Sequence, residues 1–170
     1  MRKPKRMTVR EFTSMASLLR KAIYDRVVRQ VGESRQLGYD LRTELDRKLR
    51  EVAVEAVKSG RVDLSKAFGI EVIWDYHTDK PRGISFTVPF DYSVDPEIVE
   101  LSKKYRKTTE KYKELKDLLH SWSTIFNTWK VRALGTGKRN LEPFPRKLWP
   151  FVPDELKDLL VVEEDGGERR

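Results

Sequence analysis

The stretch IVELSKKYRKTTEKYKELKDLLHSWSTIFNTW, residues 98–129, decides the fold. Apolar or semi-polar residues recur at alternating steps of three and four: Ile98, Leu101, Tyr105, Thr108, Tyr112, Leu115, Leu119, Trp122, Phe126 and Trp129. That period keeps one narrow seam on one side of a helix, and such a seam is stable only when buried against another helix. Asp95 supplies an N-cap and Pro96 the first helical position, so the helix is expected over 96–134, roughly 58 Å at 1.5 Å per residue.

Upstream of this helix the spacing predicts two shorter ones. Thr8 and Glu11 have the spacing of a capping box, which opens a helix over 9–31 with Val9, Phe12, Ala16, Leu19, Ile23, Val27 and Val31 inward. Gly32 to Asp40 reads as a polar connection. A second helix over 41–59 buries Leu41, Leu45, Leu49, Val52, Ala56 and Val57, and Gly60 closes it. The period then shortens to two in GIEVIWDY (69–76) and GISFTVP (83–89), with turn chemistry between them, which predicts a β-hairpin. Two strands alone are marginal, so the face of Ile70, Val72, Trp74 and Tyr76 is expected to lie on the helices.

The two shorter helices, roughly 30 Å each, can cover only part of the long one. Its distal aromatics, Trp122, Phe126 and Trp129, need a further cover. One candidate is the segment LEPFPRKLWPFVP (141–153), whose four prolines favour an extended strap carrying Phe144, Leu148, Trp149 and Phe151. The other is a second chain, which would make Trp122, Phe126 and Trp129 an interface for a homo-oligomer or a protein partner. The expected fold is therefore mainly α (α+β): two amphipathic helices, a hairpin, one long heptad-patterned helix and a Pro/aromatic strap. The expected organisation is a basic flexible arm (1–7), a helical domain (8–134) interrupted by the hairpin (69–89), a Gly loop with strap and short helix (135–162), and an acidic, charged tail (163–170).

Charge indicates the partner. The 170 residues carry +8 net, distributed unevenly: residues 1–66 hold 17 basic and 9 acidic side chains, residues 135–152 hold 4 and 1, and residues 67–95 hold 2 and 5. A polyanion would be drawn to particular surfaces and not to the whole molecule. The candidates are the arm with Arg2, Lys3, Lys5, Arg6 and Arg10, and the segment with Lys138, Arg139, Arg146 and Lys147, where interleaved Phe144 and Trp149 would suit base stacking. Without a helix-turn-helix, zinc-finger or RNA-recognition signature, contact with a DNA or RNA backbone would be largely independent of sequence.

Other chemistries are weakly represented. With no cysteine, disulfides, thiolate metal sites and thiol catalysis are excluded. Asp75, His77 and Asp79 have the alternate spacing that could gather a divalent cation for phosphodiester hydrolysis, although the same residues make an ordinary solvated turn. LGTGKR (134–139) lacks the first glycine and the Ser/Thr of a phosphate-binding loop and follows a helix instead of a strand. His120 reads as a helix boundary residue. No segment has the roughly 20 apolar residues of a membrane span. High charge with only two Asn and two Gln is thermophile-like. These features predict a non-enzymatic, cofactor-free structural or assembly protein, cytoplasmic or virion-internal, that binds nucleic acid; a viral or nucleoid-associated component fits. The alternatives are a protein-interaction adaptor and, last, a metal-dependent nuclease.

Overall fold

A computed structural model describes residues 4–75, 77–89, 91 and 95–163. The element order is α1 (Val9–Lys58), β1 (Phe68–Asp75), β2 (Lys80–Thr87), α2 (Pro96–Gly135) and a short α3 (Asp154–Lys157), with 3-10 turns at Leu64–Lys66, Arg139–Leu141 and Arg146–Phe151. The fold is mainly α with one antiparallel hairpin, as expected. Both long helices start where their caps dictate. Thr8 and Glu11 form the reciprocal capping box, Thr8 N donating to Glu11 Oε2 at 2.7 Å and Glu11 N to Thr8 Oγ1 at 3.3 Å. Asp95 Oδ1 accepts from the amides of Glu97 (2.9 Å) and Ile98 (3.2 Å) at the start of α2.

The expected break between the first two helices is absent. The two shorter helices are a single helix, and residues 32–40 are helical throughout. A glycine inside a helix costs only about 1 kcal/mol relative to alanine, and no proline lies in this stretch to remove a backbone donor. The three-four spacing also continues through it: Val27, Val31, Ser34, Gly38, Leu41 and Leu45 all lie on the buried or half-buried side. Val9 and Val57, expected inward, are exposed. The true end is Gly60, which at φ +68° takes the left-handed conformation of a helix stop. There Arg61 N bonds to Ala56 O and Gly60 N to Val57 O at 2.9 and 3.2 Å.

The chain divides into two compact units, residues 1–36 with 109–170 and residues 37–108. In the first, α1 and α2 run antiparallel, as the ring contacts Phe12–Trp129 (5.5 Å) and Tyr24–Trp122 (5.7 Å) show. Its core joins Phe12, Leu19, Ile23 and Val27 of α1 to Trp122, Phe126, Trp129 and Ala133 of α2, closed by Phe144, Leu148, Phe151, Val152 and Leu160. The proline-rich strap is therefore the cover of the distal seam. It is less extended than expected, with 3-10 turns at Arg139–Leu141 and Arg146–Phe151 and a backbone bridge from Phe144 to Val162. Trp129 sits at the centre. It lies 4.8 Å from Phe144 edge-on and 5.5 Å from Phe126, and its indole N–H donates to Glu142 O at 3.1 Å.

In the second unit the helices are again antiparallel: Lys48 Nζ meets Glu97 Oε2 at 2.7 Å, and a Cβ on Gly38 would lie 3.8 Å from Thr108 Cγ2. Ala56, Ile98 and Leu101 are buried here. The hairpin is tighter than expected, because β2 begins at Lys80 and not at Gly83. Asp75 pairs with Lys80, Val72 with Ile84 and Glu71 with Ser85, with irregularities at Phe68/Glu71 and Ile73/Trp74. Its expected burial on the helices is not found. Ile70, Val72 and Trp74 are exposed, and Tyr76 lies outside the described residues. The helical seams of this unit face each other, and the hairpin's apolar side chains stay exposed.

Candidate nucleic-acid interface

The basic segments at the two ends of the chain meet in the first unit, and one buried amide joins them. Asn140 is fully buried, and its side chain makes three hydrogen bonds. Oδ1 accepts from Met7 N at 2.9 Å, while Nδ2 donates to Lys5 O at 3.0 Å and Leu159 O at 2.9 Å. The arm from Lys5 to Met7 is thus tied down and not the free tail that its composition suggested. Arg139 adds a charged donor, Nη1 to Met7 O at 2.6 Å.

Local backbone chemistry explains how Asn140 reaches inward. α2 ends as Gly137 turns left-handed (φ +68°), and a Cβ there would meet Arg6 Nη2 at 3.2 Å. Arg139 is also left-handed, at φ +56°. A non-glycine residue holds that conformation only when its surroundings fix it, and here the bond to Met7 does so.

Lys5, Arg6 and Lys138 are exposed around this junction, and Arg139 is half-buried. Arg10 is exposed on the opening turn of α1. Arg2 and Lys3 lie outside the described residues. The surface continues through Arg132, whose Nε contacts Glu142 Oε1 at 2.5 Å and whose Nη2 lies 3.6 Å from Glu163 Oε1. Glu163 in turn shares a shallow groove of about 570 Å³ with Ile125, Pro145, Arg146 and Lys147. Glu142 is itself buried, accepting from Thr136 Oγ1 at 3.2 Å with Lys138 Nζ 3.9 Å away. Beside the arm, the Thr8 backbone and side-chain hydrogen bonds, with Lys5 nearby, hold the Glu11 carboxyl below its ordinary range.

Three expected sites are placed differently. Phe144 is fully buried and offers no face for stacking on bases, and Trp149 is half-buried against the same core. Trp122, Phe126 and Trp129 are core residues covered by the strap, which leaves them no surface for a partner. Asp75, His77 and Asp79 do not converge. The Asp75 carboxylate accepts from His77 N at 2.9 Å, Asp79 N bonds to Asp75 O at 2.8 Å, and Asp79 takes the left-handed conformation of a tight turn. Among the described residues no group of three His, Asp or Glu could hold a metal ion.

Sequence reasoning missed Arg132, Asn140 and Glu142. Two of them carried a signal. Asn140 is one of only two asparagines in an amide-poor chain, and Glu142 is the single acid of residues 135–152. No protein family, characterised protein or solved structure matches this chain. No helix among the described residues is long and apolar enough to cross a membrane.

Proposed function

We propose that this protein is a structural nucleic-acid-binding protein that grips the phosphate backbone through the surface built around Asn140. The observation that carries the reading is the convergence of Lys5, Arg6, Lys138 and Arg139, residues more than 130 positions apart in the chain, on one junction. Lys138 and Arg132 are partly neutralised by Glu142, and the exposed Lys5, Arg6 and Lys147 add cations to the same unit. Such a surface supports contacts to phosphate oxygens and carries no base-reading element, so affinity depends on salt and little on sequence. A packaging or scaffolding role in a viral or nucleoid particle suits that mode of binding, and a cytoplasmic or virion-internal site goes with it. The test is the affinity of the full chain for a random-sequence duplex and a single strand across a salt series. The reading requires log K to fall steeply with log salt, and the slope to become shallower in a Lys5→Glu, Arg6→Glu, Lys138→Glu variant. Absence of binding at low salt removes it.

A further inference from the structure

The hairpin of the second unit is a two-sided sheet with its apolar side uncovered. Side chains alternate along each strand, and Val72 pairs with Ile84. Ile70, Val72 and Trp74 of β1 therefore share a face with Ile84 and Phe86 of β2. Their exposures are 66, 49, 50, 63 and 48%, respectively. The opposite face is mixed: it carries Glu71, Asp75 and Lys80 beside Ile73, which is 47% exposed, and Asp75 lies directly across from Lys80. The patch formed by the five apolar residues bears no charge, so it offers a polyanion nothing to contact.

We propose that this face is a homo-oligomerisation surface, occupied by the same face of a second copy of this chain. Three arguments select that occupant. An isolated two-stranded sheet is marginally stable, and a second sheet packed on its apolar side supplies the missing layer. The patch is uncharged, so it is complementary to itself, as a two-fold interface demands. The area also suffices: five large side chains, each offering roughly 100 Å², give roughly 500 Å² per copy and ~1,000 Å² in total, the lower bound for a specific interface. This inference does not rest on nucleic-acid binding. If both hold, association multiplies the basic surfaces presented to one nucleic acid and raises avidity without a new contact.

The chain has no cysteine, so a single introduced thiol reports contact cleanly. Full-length Ile84→Cys, on the apolar face, is compared under mild oxidation with Glu71→Cys, on the opposite face. Within a dimer the two thiols introduced by Ile84→Cys meet at high effective concentration, and this variant should yield a disulfide-linked dimer roughly tenfold faster or more. Sedimentation equilibrium of the unmodified chain should show its mass doubling as concentration rises, and Ile70→Thr with Ile84→Thr should return it to monomer with its helical circular dichroism retained. A chain that stays monomeric throughout, equal cross-linking at the two positions, or a monomer that partitions onto neutral phosphatidylcholine vesicles would each overturn the proposal.

Discussion

The two units use the same helical material and differ in what lies on it. Both contain a stretch of α1 antiparallel to a stretch of α2 along a three-four seam. In the first unit the seam carries Trp122, Phe126 and Trp129, too wide for one facing helix to cover, and the strap closes over them. In the second it carries Gly38, Leu41, Leu45 and Ala56 with Ile98, Leu101, Tyr105 and Thr108, no ring as large as tryptophan among them, and the added hairpin stays uncovered. Burial follows from the fit between seam width and cover, not from the hydrophobicity of the added segment. The strap has four prolines and is buried, whereas the hairpin is rich in Ile, Val and Phe and is exposed.

The largest effect that tests this contrast is expected at Trp129. Its replacement by alanine removes a fully buried ring, three aromatic contacts and a donor to Glu142, and should cost about 3–5 kcal/mol in denaturant unfolding. Phe86→Ala, on the open sheet, should cost less than half of that in the dilute protein. Equal losses would mean that the hairpin is packed as tightly as the aromatic core. Next comes Asn140→Ala, which strands three backbone groups and should cost about 2–3 kcal/mol. It should also speed amide exchange at Met7 while leaving exchange in β1 and β2 unchanged.

Smaller effects bear on α1. Gly32 has open space around its Cβ position and lies within the helix, so Gly32→Ala should raise stability by about 1 kcal/mol. A loop at residues 32–40 would predict no gain. The smallest effect belongs to the capping box. Because folding lowers the Glu11 pKa, its contribution is present at neutral pH and is lost as pH falls through that lowered value. The difference in melting temperature between the wild type and Glu11→Gln should therefore shrink on acidification below the ordinary carboxylate pKa. A difference that persists unchanged in acid would assign it to something other than the charge.

What was legible in the sequence was what repeats locally. The ten seam positions from Ile98 to Trp129 are all buried or half-buried, because a helical period is written in consecutive residues. The same period ran through residues 32–40, but at Ser34 and Gly38 it was carried by small residues whose composition resembles a turn. Smallness there marks close helix approach. The hairpin was legible from its β-branched strands, but its lack of cover was not, since cover is a property of distant elements. The basic junction was half-legible. The charged residues stood out, but their convergence depends on the Asn140 amide reaching Met7 and Lys5, a pairing that no local pattern encodes.

The contrast between the units also gives the most direct test of function. Lysine reactivity toward an amine-specific reagent is to be measured at low salt with and without a random-sequence duplex, at one fixed protein concentration. Lys5, Lys138 and Lys147 of the first unit should lose most of their reactivity when DNA is present, while Lys66 and Lys80 of the second keep theirs. Protection confined to Lys66 and Lys80, or no change at Lys5, Lys138 and Lys147, would contradict the account.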